Sequence, residues 1–333
     1  MIKKKVRTAV ASAMVCVTLL CGCGIGNTEV VWTSQLNDST VFRIQNEDCS
    51  LSDAKVFLVN YRNLYADIYG SRIWQEDHSG KNMEDYVKDV TLNQLAKMKT
   101  MVLLAQEKGI SLTEEEEKAV SEAAETYYDS LSKEEIRYLN VSRTSLTELY
   151  SDLALATKLY TKLTGGVDEE VSDDDARVMV VRQIILTDEE TAKTVEKKIE
   201  KGESFESLAS YYSSSSNSKI TLYKQDNSDA VNEALASLGD GDISRCVEED
   251  GKYYFYEVVE KIDRELTEEN KITIVKERAS ETFDNVYAQF CSNLSSTYNH
   301  KLWDGFTVDA EVKLTTDSFF DVFEQYLGFL KQE

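Results

Sequence analysis

Residues 178–213 read VMVVRQIILTDEETAKTVEKKIEKGESFESLASYYS, and this stretch decides the fold. Val178 to Leu186 is a β-branched run that suits a buried strand. Glu189 to Lys201 reads as a charged helix that Gly202 ends, and Phe205, Leu208 and Ala209 mark a second helix after it. Ser213–Ser216 with Asn217 form a low-complexity loop. Val231, Leu235 and Leu238 predict a short helix before Gly239 and Gly241, and Tyr253 to Val259 predicts a closing strand. Together they make one compact α/β segment.

On both sides the texture turns helical. Ser52 is placed to cap a helix carrying Phe57, Tyr61, Leu64, Tyr65 and Ile68 at helical spacing, ended by Gly70. A longer helix is predicted from about Met83 to Lys108, with Val87, Val90, Met98, Met101, Val102 and Ala105 on its apolar side and Gly109 as its stop. Thr113 with Glu116 makes a capping box, and Glu114, Glu115 and Glu117 complement the positive end of the helix they open. That acidic run reads as a solvated first turn rather than a metal site. Further helices are expected over 113–130 and 143–164. After residue 268, Ile272, Val275, Ala279, Phe283, Val286, Phe290 and Leu294 trace one face. A last amphipathic segment carries Phe319, Phe323, Tyr326 and Leu330, predicted to pack on the N-terminal helices.

Composition narrows the function classes. Of 333 residues, 42% are hydrophobic and 29% charged, a globular mix. The net charge of −23 sets a field that repels a phosphate backbone, so no nucleic-acid partner is expected. Two histidines, His78 and His300, leave little room for imidazole chemistry, and no metal or cofactor is expected. Proline is absent, where roughly 16 would be usual at about 5%. Asp226-Asn227-Ser228-Asp229 and Asp240-Gly241-Asp242 lack the glycine and final glutamate of a calcium loop. His78 is expected in a solvated loop, and Cys246 as a half-buried small hydrophobe.

The first residues form an address. Lys3, Lys4, Lys5 and Arg7 precede an apolar run from Val10 to Leu20, short of the about 20 residues a membrane-spanning helix needs. The run ends in Leu20-Cys21-Gly22-Cys23, which resembles the bacterial lipobox. Cys23, with a small residue before it and a leucine three back, is the expected lipid attachment site after cleavage of residues 1–22. Multiple acyl chains give stable anchoring. Residues 23–50 read as a polar tether. Cys49, Cys246 and Cys291 then remain, an odd number with wide spacing and no disulfide framework.

The 181–213 stretch resembles the opening of a parvulin-type peptidyl-prolyl isomerase domain, through Lys201-Gly202-Glu203-Ser204-Phe205, Leu208, Ala209, Tyr212 and Ser213. Ala234, Leu238, Gly241, Ile243, Ser244 and Val247 match a downstream segment of that family, and Gly251 to Val258 its closing strand. Residues 91–116, TLNQLAKMKTMVLLAQEKGISLTEEE, are similar to the helical domain of PrsA and SurA foldases through Leu95, Ala105, Gly109, Ile110, Leu112 and Thr113. The resemblance implies an α+β fold. Its parts are a helical domain over 51–170, an inserted parvulin-like domain over 177–265 with a small antiparallel sheet, and C-terminal helices over 268–333 that complete the first.

The family's site residues are where this sequence departs. Parvulins place one histidine on the first strand and one on the last, flanking a Cys or Asp near the twisted imide. The matching positions here are Gln183, Tyr254 and Lys219, and the Met and Phe that floor the proline pocket fall at Asn227 and Val231. The barrier set by amide resonance is roughly 18–20 kcal/mol, and lowering it needs no covalent step, only electrostatic fit to the twisted state. Gln183 and Tyr254 are expected to share a hydrogen bond across adjacent strands, while the lost apolar floor is harder to replace. The resemblance therefore implies an extracytoplasmic, lipid-anchored foldase of chaperone type whose isomerase domain is degenerate. Its partners would be unfolded or newly secreted polypeptides and, through the N-terminal lipid, the membrane, with a homodimer as one candidate assembly. An active isomerase acting on exported proteins and a structural envelope scaffold are the alternatives.

Overall fold

The computed structural model describes residues 36–75, 77–78, 81–215, 219–309 and 311–332. The N-terminal address, Cys23 included, lies outside them. The chain divides into two compact units, residues 1–166 with 280–333 and residues 167–279. The second division falls inside one helix, Arg264–Cys291.

The first unit is mostly helical. A hairpin of β1 (Thr40–Ile44) and β2 (Glu47–Ser50) turns at Gln45, and a strand near the C-terminus, Ser296–Tyr298, pairs with β1 to make three strands. The last residues of the segment expected as a tether over 23–50 are therefore folded into this sheet. Val41, Phe42 and Cys49 are buried, and their burial holds the hairpin on the helices. Helix α1 (Leu51–Tyr69) is capped by Ser50 in a reciprocal box with Asp53, not by Ser52. Helix α2 (Met83–Glu107) ends before Gly109, whose φ of +68° glycine adopts without strain. Helix α3 (Glu114–Ser130) opens on the Thr113/Glu116 capping box, and α4 (Lys133–Leu139) is a short helix the sequence reading passed over. Helix α5 (Arg143–Thr164) completes the N-terminal set. Glu116 departs from the solvated-turn expectation. It is 2% exposed and its Oε2 accepts from Lys158 Nζ at 2.7 Å, while Glu114, Glu115 and Glu117 stay in water.

Phe319–Leu327 returns to this unit and supplies much of its aromatic core. The Phe319 ring stacks on Tyr150 at 4.4 Å and meets Tyr127 edge-on at 5.2 Å. Such pairs contribute about 0.5–1.5 kcal/mol each beyond area burial. Polar groups fix the register of the same packing. Asn60 donates to Tyr127 Oη at 2.8 Å and accepts from the Phe319 amide at 3.1 Å, and Tyr150 Oη donates to the Phe319 carbonyl at 2.8 Å.

The second unit is a four-stranded antiparallel sheet in the order β6-β5-β8-β7, with strands β5 Val178–Leu186, β6 Lys219–Tyr223, β7 Val247–Glu249 and β8 Lys252–Glu260. The pairs β3 (Asp77–His78) and β4 (Lys81–Asn82) belong to the first unit. Helices α6 (Glu189–Glu200) and α7 (Phe205–Tyr212) cover one face. There they bury Ile184, Leu186 and Phe255 among Val195, Phe205 and Leu208. Helix α8 (Asp229–Leu235) covers part of the other face, where Met179, Val181, Tyr256 and Val258 pack with Val231 and Leu235. Odd positions of β5 and even positions of β8 thus share the α8 face, as the two-residue strand period requires.

The long helix α9 (Arg264–Cys291) departs from its predicted stripe. Ile272 is 59% exposed, while Thr267 and Asn270 are buried. These two polar side chains serve the backbone at the start of β5. Thr267 Oγ1 accepts from the Val178 amide at 3.2 Å, and Asn270 Nδ2 donates to the Ala176 carbonyl at 3.0 Å. Phe283 and Tyr287, beyond the division, are buried in the helical unit. Cys49, Cys246 and Cys291 are all free thiols.

Candidate functional site

The sheet of the second unit decides which predicted site residues meet. Gln183 lies in the middle of β5 and is directly opposite Tyr256, while Tyr254 is opposite Ile185. Because side chains alternate, Gln183, Tyr254 and Tyr256 all share the α8 face, with Tyr256 the direct cross-strand neighbour and Tyr254 the diagonal one. The two tyrosine rings run parallel, 6.3 Å apart and 5° from coplanar orientation. Gln183 and Tyr254 are therefore neighbours on one face, but the residue directly opposite Gln183 is Tyr256, which the sequence does not single out. The period of two in Tyr254-Phe255-Tyr256 was the available signal. Which of the two tyrosines faces Gln183 depended on a register fixed elsewhere.

Lys219 does not join them. It is exposed on edge strand β6, opposite Arg182, and so projects on the α6–α7 side with the Arg182–Glu257 ion pair at 2.7 Å. The β6 residues on the α8 face are Ile220, opposite Val181, and Leu222, opposite Met179. Asn227 sits at the turn before α8, and its Nδ2 donates to Asn232 Oδ1 at 3.3 Å. Val231 is only 4% exposed, packed among Met179, Val181, Tyr256 and Val258. Its apolar surface is already spent within the domain.

The electrostatics of this face are those of neutral hydrogen-bonding groups. Burial, then Tyr254 and Glu249, push the Tyr256 phenol above its ordinary range, so it stays protonated throughout physiological pH. Its backbone is locked by Ser244, whose Oγ accepts from the Tyr256 amide at 2.9 Å and whose amide donates to the Tyr256 carbonyl at 2.7 Å. An amide and two phenols can each donate and accept hydrogen bonds. Cys246 is half-buried against the opposite cluster, and burial, followed by Glu196 and Glu248, raises its thiol, so the site does not activate it as a catalytic nucleophile. Among the described residues no group of three or more His, Cys, Asp or Glu side chains is arranged to hold a metal. No described helix is long and apolar enough to cross a membrane.

No family model matches the chain. It is 29% identical over 246 residues to the foldase protein PrsA of Caldanaerobacter subterraneus subsp. tengcongensis, covering 65% of this chain and 74% of that protein. To the foldase protein PrsA 3 of Bacillus anthracis it is 26% identical over 163 residues, 47% of this chain and 55% of the relative. Among solved structures, the peptidylprolyl isomerase PrsA of Bacillus cereus is similar over 87% of this chain and 99% of its own, at 17% identity and a TM-score of 0.39. The chain thus combines a mixed helical and antiparallel-sheet fold with sequence similarity to PrsA foldase proteins.

Proposed function

We propose that this protein is an extracytoplasmic, membrane-anchored foldase that works by holding unfolded secreted polypeptides, with a parvulin-like domain that has lost efficient isomerase activity. The observation that carries the reading is the α8 face of the sheet. Gln183, Tyr254 and Tyr256 stand at its polar centre, Ile220 and Leu222 flank it, and Val231 is consumed in the core. Such a face offers neutral hydrogen bonds, while Val231, at the position matching the family's pocket floor, is buried in the domain core and presents little apolar area to a proline ring, whose binding is worth on the order of 25 cal/mol per Å² of apolar area buried. The Leu20-Cys21-Gly22-Cys23 motif supports anchoring through Cys23, and the net charge of −23 favours cationic clients over nucleic acid.

The test is aggregation of a chemically unfolded client, followed by light scattering, with the soluble chain from residue 24 onward added at stoichiometric ratio. Slowed aggregation supports the binding reading. Unchanged aggregation across several clients of differing charge sinks it and leaves the envelope scaffold.

A further inference from the structure

Helix α1 runs on past its support. Residues Ala54 to Tyr61 are buried at nearly every position, but the last turn emerges into water with Ile68 46% and Tyr69 63% exposed. Ile68 lies seven residues after Tyr61, on the same side, and so continues the stripe of Phe57 and Tyr61 that packs on Phe320. The rings of Tyr65 and Tyr69 lie 6.0 Å apart and 26° from parallel, so the aromatic surface is pre-ordered.

An acidic row runs beside this strip. Asn63 Nδ2 donates to the carbonyls of Leu314 and Thr316 at 3.2 and 2.8 Å, which lays the 314–317 segment alongside α1 one turn before Asp67. Phe320, stacked on Tyr61 at 5.0 Å, fixes the start of the following helix against the same side. Asp67, Asp317 and Asp321 are thereby gathered along one seam, all exposed. They lie close enough to interact. Burial and Asp67 raise the Asp317 carboxyl, and burial, Asp317 and Glu324 raise that of Asp321. Glu324 is itself ion-paired with Lys331.

From this juxtaposition we propose that the exposed end of α1 and the Asp67–Asp317–Asp321 row form a docking surface for extended, unfolded segments in which lysine or arginine alternates with large apolar residues. Apolar side chains of such a segment cover Ile68 and the Tyr65–Tyr69 pair while its cations neutralise the mutually repelling carboxylates of Asp67, Asp317 and Asp321. A second copy of this chain is the poorer occupant, because a two-fold contact would set one acidic row close to its equivalent. This assignment rests on the client-holding reading and adds to it the site and the class of client.

The experiment measures fluorescence anisotropy of two unstructured labelled peptides with the mature chain. In one, lysines alternate with leucine and phenylalanine, and in the other glutamates replace the lysines. Two variants are compared with the parent, Asp67→Asn/Asp317→Asn/Asp321→Asn and Ile68→Ser/Tyr69→Ser, both confined to exposed positions. The lysine peptide should bind the parent at least tenfold more tightly than the glutamate peptide. Either variant should lose about tenfold, and the loss in the Asn variant should shrink as salt shortens the screening length to about 8 Å. Equal affinity of the parent for both peptides, or affinities unmoved in both variants, overturns the surface. If the parent still slows client aggregation in that case, the holding function stands without this site. If it neither binds peptide nor slows aggregation, both fall. Variants that alter only the oligomeric state in size-exclusion chromatography with light scattering also overturn the proposal in favour of a second copy.

Discussion

Lys158→Met removes one partner from a buried ion pair and leaves the other behind. Lys158 Nζ lies 2.7 Å from Glu116 Oε2, with the side chains 10% and 3% exposed. The same carboxylate accepts from the Thr113 amide at 2.6 Å, closing the cap of α3. Breaking a buried pair from one side costs about 3–5 kcal/mol, because the orphaned charge has lost its counter-ion and its water. The surviving cap bonds place this case near the lower end, about 3 kcal/mol. Urea unfolding followed by tryptophan fluorescence isolates the effect. Trp74 and Trp303 belong to the helical unit, and residues 167–279 contain no tryptophan. Adding Glu116→Gln should return the double variant to within about 1 kcal/mol of the parent, since neutral replacements of buried pairs are often nearly neutral.

The pH dependence has a definite sign. Burial alone would raise the Glu116 carboxyl, but Lys158 and the Thr113 hydrogen bonds outweigh it and hold the group below its ordinary range. A depressed carboxyl contributes stability above its unfolded pKa of about 4.3 and loses it as pH falls through the folded value. The gap between parent and Lys158→Met should therefore close on acidification. A neutral-pH difference under about 1 kcal/mol, or a gap indifferent to acid, would refute the reasoning.

Three further outcomes are expected. Phe319→Ala should cost about 3–5 kcal/mol in the same fluorescence assay, because it deletes the ring stacked between Tyr150 and Tyr127; a loss under about 1 kcal/mol would contradict the role given to the C-terminal helix. Cys49 is fully buried and its thiol is pushed up by burial first and by Asp53 next, so a thiol reagent added to native protein should label Cys246 and Cys291 while sparing it. Labelling of Cys49 at a matching rate would show that the hairpin opens. Gln183→His/Tyr254→His should leave prolyl isomerisation at its uncatalysed rate, because Tyr256 rather than Tyr254 faces position 183 and Val231 stays buried. Catalysis appearing in that variant would mean the apolar floor is intact after all.

What the sequence made legible was mostly local. The β-branched run Val178–Leu186 is a strand with those same ends, and Thr113 with Glu116 caps a helix, because each signal lies within a few residues of its consequence. The β1–β2 hairpin was not legible. Its segment is polar in composition, and it is held by a strand, Ser296–Tyr298, some 250 residues away in the chain. The burial of Glu116 was hidden for the same reason, since its partner Lys158 stands two helices further along. At the site, residue types could be read but the face could not. Strand alternation means that one residue of register moves Lys219 from beside Gln183 to the opposite side of the sheet, and the serine-rich run before it offers no apolar pattern to fix that register.

The central claim is that the protein holds clients without catalysing their proline isomerisation. The most direct test is refolding of a proline-limited client, whose slow phase takes tens to hundreds of seconds uncatalysed, with the soluble chain present in catalytic amounts. The account predicts an unchanged slow-phase rate. Acceleration in proportion to added protein would contradict it and make Gln183, Tyr254 and Tyr256 the polar centre of a working isomerase.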